Sequence, residues 1–180
     1  MHMKQEPERS FEEVVRAFRL PRYQEIPDVG LYLEQAAKYI GGFLDPLEGY
    51  SLTPSMISNY VKKGLIPSPV KKRYDRDRLA YLLFVAIGKS VLSLDALGDF
   101  MEIQKKTYAL EQAYDYFCRE YEKVLQFTFE VRDLMDSDGE ETSPEKRLCY
   151  TCVVAAVQKI YLEKSLRQMV EKYASDEQAG

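Results

Sequence analysis

Between Leu52 and Leu97 three helix starts are written into the chain with the same two devices, a capping side chain and an apolar pair that brackets it. Thr53 is placed to accept from the free N–H groups of a first turn. Pro54 fits the position after it, where a missing N–H costs nothing. Asp75 and Ser93 repeat the cap. Leu52 with Ile57, Tyr74 with Leu79, and Leu92 with Leu97 hold the two positions of a hydrophobic staple at each start. Three starts so close together predict a compact helical unit.

The first of these helices is short, about ten residues, because Gly64 suits the left-handed conformation that ends a helix and Pro67 prevents a restart. Ile57, Tyr60 and Val61 share one stripe of it; Ser55, Ser58, Asn59 and Lys62 share the other. Small polar side chains allow close approach to base edges, and Asn suits a bidentate contact with adenine. The bland alternative is a solvated helix face. Ser68-Pro69-Val70-Lys71-Lys72-Arg73-Tyr74 follows, too short and proline-rich for a helix, and predicts a tight hairpin or wing with three adjacent cations. The helix that Asp75 caps has Leu79, Leu82, Leu83, Ala86 and Ile87 as its buried stripe.

Charge sharpens the reading. Lys62, Lys63, Lys71, Lys72, Arg73, Arg76, Arg78 and Lys89 stand against only Asp75 and Asp77 over 51–92, a local charge of +6 in a chain of net charge −4. The remainder is strongly acidic. Such asymmetry is the footprint of a nucleic-acid site, since every phosphate neutralised releases counterions.

The string MISNYVKKGLIP, then Lys72-Arg73-Tyr74 and Leu79, resembles the winged helix-turn-helix of MerR-type regulators. More closely, IPD-LYLEQ, LTPSMISNYVKKGLIP, KKRYDRDRLAYL and VLSLDAL, over about residues 25 to 130, are similar to a bacterial family of uncharacterised MerR-like helix-turn-helix proteins. The resemblance puts Ile57 and Tyr60 at the core and aromatic positions of the recognition helix and Lys72 where the wing arginine stands. Ser58 replaces the usual helix arginine and Asn59 the first tyrosine. It implies an all-α protein: a MerR-like winged helix-turn-helix with a short β wing, followed by a C-terminal helical hairpin. The division expected is an N-terminal helical arm over 1–24, the winged unit over 25–104, and a dimerisation or effector region over 105–180.

Outside the central unit the chain reads mainly as helices. Ser10 caps a predicted helix with Phe11, Val14, Val15, Phe18 and Leu20, ended by Pro21, whose apolar positions suggest docking. Leu31, Leu33, Ala36, Ala37, Ile40 and Phe43 mark the first helix of the helix-turn-helix, stopped at Gly41-Gly42 or just beyond. Its connection to Leu52 is long enough for an extra turn. An aromatic segment over 94–135 is expected to break near Lys105-Lys106-Thr107. It leads through an acidic loop over 136–142 to a last helix that starts after Ser143, runs to about Tyr173 and frays from Asp176. The two long amphipathic helices of this half are expected to pack as an antiparallel hairpin and, through broad apolar stripes, to form a homodimer that reads two half-sites.

Other chemistry is poorly supplied. Cys149 and Cys152 form a lone C-x-x-C, read as two buried cysteines on a helix, because a structural zinc site needs four ligands. His2 is the single histidine and is given no role. With no Gly-rich phosphate loop and no distinctive carboxylate pair, an enzyme is the last of the readings, and no cofactor is expected. The C-terminal tyrosines suit either a small-molecule effector pocket or plain core. No apolar run approaches the ~18 residues of a membrane span and no signal peptide is legible, so a cytoplasmic protein with no membrane partner is expected.

The leading expectation is a transcriptional regulator that binds double-stranded DNA. Ser55, Ser58, Asn59 and Lys62 would face the major groove, Lys71, Lys72 and Arg73 would hold phosphates, and Lys63 and Arg76 would add contacts. The alternative is a helical protein–protein interaction module that keeps the winged fold without specific DNA binding.

Overall fold

The computed structural model describes residues 10–137 and 143–179, with side chains placed over 10–130 and 143–177. His2, the 138–142 part of the acidic loop and the side chains of Val131 and Leu134 lie outside the described residues. Seven α-helices follow one another: α1 Phe11–Ala17, α2 Leu33–Leu44, α3 Pro54–Lys62, α4 Arg76–Gly88, α5 Leu94–Thr107, α6 Leu110–Ser137 and α7 Pro144–Ala179. Single 3-10 turns at Tyr23–Glu25 and Asp45–Leu47 fill the connections before α2 and α3. No described helix is long and apolar enough to cross a membrane.

The caps form where their chemistry puts them. Thr53 accepts from the Met56 N–H, Asp75 from Arg78 and Ser93 from Ala96, at 3.1–3.2 Å. Ser10 and Glu13 cap α1 reciprocally. All three staples close on the core, with Ile57, Tyr74, Leu79, Leu92 and Leu97 buried and Leu52 packed against them.

The centre of the molecule is α4. Every residue from Leu79 to Gly88 except Phe84 is buried, so the single buried stripe read from sequence understates it. From Leu79 to Gly88 the helix is apolar on all sides, and its neighbours cover all but part of Phe84. Phe84 stacks on Phe100 of α5 at 5.3 Å and meets Phe117 of α6 edge-on at 5.2 Å.

The N-terminal segment is docked. Phe11 lies 5.4 Å from Phe129 and Phe18 5.9 Å from Tyr121, both of α6. After α1 the chain is tied to α6 by polar side chains. Glu122 accepts from the Leu20 N–H at 2.8 Å and takes a two-pronged grip from Arg22 at 2.6–2.7 Å. Asp115 accepts from the Tyr23 N–H, and Tyr114 donates to the Pro21 carbonyl.

Three expectations are corrected. The α6–α7 hairpin is not the main packing of the C-terminal half: α7 packs chiefly on α5, with Leu166 buried, Leu162 and Val170 against the core, and Lys106 paired with Glu177. The long aromatic segment breaks at Thr107, as expected, with Tyr108 extended, and this break frees α5 to meet α7. α7 itself runs to Ala179, beyond the expected end at Tyr173. Cys149 and Cys152 are exposed, on a side of α7 that no described residue covers.

Candidate nucleic-acid interface

The short helix α3 is bounded at both ends by local chemistry. At its C-terminus Gly64 takes φ +73°, its N–H donates to the Val61 carbonyl at 3.0 Å, and the Leu65 N–H donates to the Tyr60 carbonyl at 2.9 Å. This is a Schellman cap, which turns the chain sharply and buries Leu65 beside Tyr60. Ile57 and Tyr60 point into the core, and α3 packs on α2. Ser55, Ser58, Asn59, Lys62 and Lys63 are therefore left on the exposed side. The Ser58 hydroxyl donates to the Pro54 carbonyl within the helix at 3.0 Å, so its oxygen is presented outward as an acceptor.

The expected wing is reduced to a turn. Val70 and Arg73 exchange backbone hydrogen bonds at 3.1 and 2.9 Å, and Leu31 exchanges two with Tyr74 at 2.9 and 2.8 Å. These are isolated bridges, and no strand forms among the described residues. Pro67 and Pro69, which lack N–H donors, prevent the ladder from growing. The two residues at the tip, Lys71 and Lys72, have φ 48° and 64°. A two-residue hairpin turn of type I′ needs positive φ at both central positions and is ordinarily filled by Asn-Gly. Two lysines in that place hold a strained backbone, and both side chains are exposed.

The turn is fixed to the start of α2. Gly30, at φ +73°, passes so close that a Cβ there would lie 3.0 Å from the Arg73 Cβ. The Arg73 guanidinium caps the Val29 and Gly30 carbonyls at 3.3 and 3.4 Å, donates to the Tyr32 hydroxyl at 3.2 Å and lies 4.7 Å above the Tyr32 ring. Sequence reasoning did not assign Tyr32 and Gly30 to the site. Only the glycine before α2 hinted at a close approach.

The eight cations of the +6 segment divide into two sets. Arg73 is engaged as described. Arg76 donates to the Ile26 carbonyl and to Gln24, both at 3.0 Å, and lies over the Tyr23 ring. Arg78 pairs with Asp75 and donates to the Pro67 and Ser68 carbonyls. Lys89 donates to the Ser51 carbonyl, and burial lowers its pKa. The arginines staple the unit together. Lys62, Lys63, Lys71 and Lys72 are exposed and have no hydrogen bond or ion pair among the described residues. Since α3 packs on α2 and the Val70–Arg73 turn is held to the 29–32 segment that leads into α2, the four lysines stand on elements with a common base.

The remaining candidates for chemistry are otherwise occupied. Tyr50 and Tyr121 share a hydroxyl hydrogen bond at 2.8 Å, and Tyr114 spends its hydroxyl on Pro21. Cys118 is buried, and burial pushes its thiol up to about 11, so it stays protonated. No curated protein and no solved structure matches the chain. Residues 21–117, more than half of the chain, match the model of a domain of unknown function, DUF1836, and the chain belongs to that family.

Proposed function

We propose that this protein is a DNA-binding transcriptional regulator of MerR-like helix-turn-helix type. In this reading α2 and α3 form the helix-turn-helix, and α3 enters the major groove. Ser55, Ser58 and Asn59 approach base edges and Lys62 the edge or the adjoining phosphate. Lys63, Lys71 and Lys72 neutralise phosphates, and the turn serves as a minimal wing. Arg73 and Arg76, expected from sequence to touch DNA, act here as positioning residues: one holds the turn on Tyr32, the other holds α4 on the 24–26 segment.

One observation carries the reading. Within a +6 segment the arginines are consumed by the fold, while the lysines of α3 and the turn have no partner among the described residues. Two of them occupy a backbone conformation that suits glycine better. A merely solvated surface has no use for that strain. The exposed Val29 and Val70 beside the turn favour the second reading, a protein-interaction module, since apolar side chains there suit a protein partner. A small-molecule effector has no part in the reading, because the buried tyrosines use their hydroxyls inside the chain.

The test is fluorescence anisotropy on a mixed pool of duplexes with a salt titration. Each phosphate contact adds about 0.9 to the slope of log K against log salt, so four lysines give a slope of about −3.6 per subunit. Lys71→Ala with Lys72→Ala should weaken binding to all sequences and flatten the slope by about 2. Arg76→Ala should lower stability and leave the slope alone. Unchanged binding when all four lysines are replaced would end the DNA reading and leave the interaction module.

A further inference from the structure

Of the polar side chains on the outer face of α3, Ser55, Asn59 and Lys62 are exposed and make no hydrogen bond among the described residues. Ser58 stands between them and differs. It is exposed too, yet its hydroxyl donates to the Pro54 carbonyl at 3.0 Å, one turn back along the same face. A hydroxyl carries one proton. With that proton turned into the helix, Ser58 shows the outside only lone pairs, and this sorts what it can meet. Phosphate oxygens are acceptors, so an oxygen with no free proton gains nothing from the DNA backbone. In the major groove guanine N7 and O6, adenine N7 and thymine O4 are acceptors as well, and only the amino groups at adenine N6 and cytosine N4 donate. Turning the proton outward instead gives up the bond to Pro54, a loss of about fivefold.

We infer that Ser58 sets a base preference of the site proposed above: on the strand it faces it selects an amino base, adenine or cytosine, over a keto base, guanine or thymine. The inference rests on the DNA reading of α3. Serine in general donates or accepts and so distinguishes little. The bond to Pro54 turns this one into an acceptor alone. Its place on the helix suits the role, since it is the fifth residue of α3 and the N-terminal part of such a helix is the part that reaches base edges. The cations lie elsewhere, Lys62 and Lys63 at the far end of α3 and Lys71 and Lys72 on the turn, so phosphates are served by other side chains. A serine is short and reads only where the backbone comes close. The equally small Ser55, three residues earlier on the same face, leaves room for that approach. Asn59, next along, offers a donor and an acceptor together and suits adenine at both N6 and N7. The two neighbours therefore make different demands on adjoining bases, an amino group alone for Ser58 and an amino group with N7 for Asn59.

The test uses the full chain and the duplex selected from the mixed pool. Each base of the selected half-site is varied in turn, and binding is followed by fluorescence anisotropy at fixed salt. One position should bind adenine or cytosine about fivefold more tightly than guanine or thymine. With adenine placed there, exchange for the unsubstituted purine base, which lacks the amino group, should lose that factor. Exchange for 7-deazaadenine, which keeps the amino group and lacks N7, should not. Ser58→Ala should keep the circular dichroism of the parent, because the side chain is exposed and alanine is the best helix former. It should abolish the preference at this position alone and leave the salt slope unchanged. A preference for keto bases there, a preference that survives Ser58→Ala, or loss with 7-deazaadenine as well overturns the inference. So does a Ser58→Ala variant weakened equally on all sequences, which would put the hydroxyl on a phosphate. Salt-sensitive binding with no base preference at any position overturns this inference and leaves the DNA reading standing. No binding to any duplex overturns both.

Discussion

Lys71 and Lys72 occupy positions that ask for Asn and Gly. Positive φ costs a side-chain-bearing residue about 1–2 kcal/mol, and no hydrogen bond or ion pair of either ammonium group within the described residues offsets it. Lys71→Asn with Lys72→Gly should therefore raise stability by about 1–2 kcal/mol in urea denaturation. The same variant should bind duplex DNA more weakly, with the slope flattened by about 2. A substitution that stabilises the chain and weakens binding separates folding from function at these two residues. Equal stability with weakened binding would leave the charges in place as the site and remove the strain argument.

At the scale of elements, starts were far more legible than partners. A cap such as Thr53 or Asp75 is decided within four residues, so α3, α4 and α5 begin where their own side chains put them. Burial is decided by what arrives from elsewhere in the chain. The sequence of α4 carries a recognisable stripe, yet Tyr81 and Val85 outside that stripe are also buried, because α2, α5 and α6 leave it no outer face. The cations show the same limit. Eight positive residues form one run in sequence, but only distant carbonyls, of Ile26 for Arg76 and Val29 for Arg73, divide them into staples and free charges. The attachment of the 20–25 segment to α6 was equally invisible, since it joins residues about a hundred positions apart. It rests on Glu122, which the Leu20 N–H and both prongs of Arg22 share. Glu122→Ala would strand a partly buried guanidinium and should cost about 2–3 kcal/mol. Hydrogen exchange should then quicken at Leu20 and Tyr23 before it quickens in α4; a uniform loss of protection would mean that the segment is no separate latch.

For the whole molecule, α7 runs without a break from Pro144 to its contact with the core. Its described hold on the core lies between Leu162 and Val170, against α5, whose Phe100 stacks on Phe84 of α4. Leu166 is the buried residue of that stretch. Leu166→Ala should cost about 2–5 kcal/mol in urea denaturation, and hydrogen exchange should quicken in the second half of α7 before it quickens in α4. A long helix pinned near one leucine is the part of the fold that comes away first.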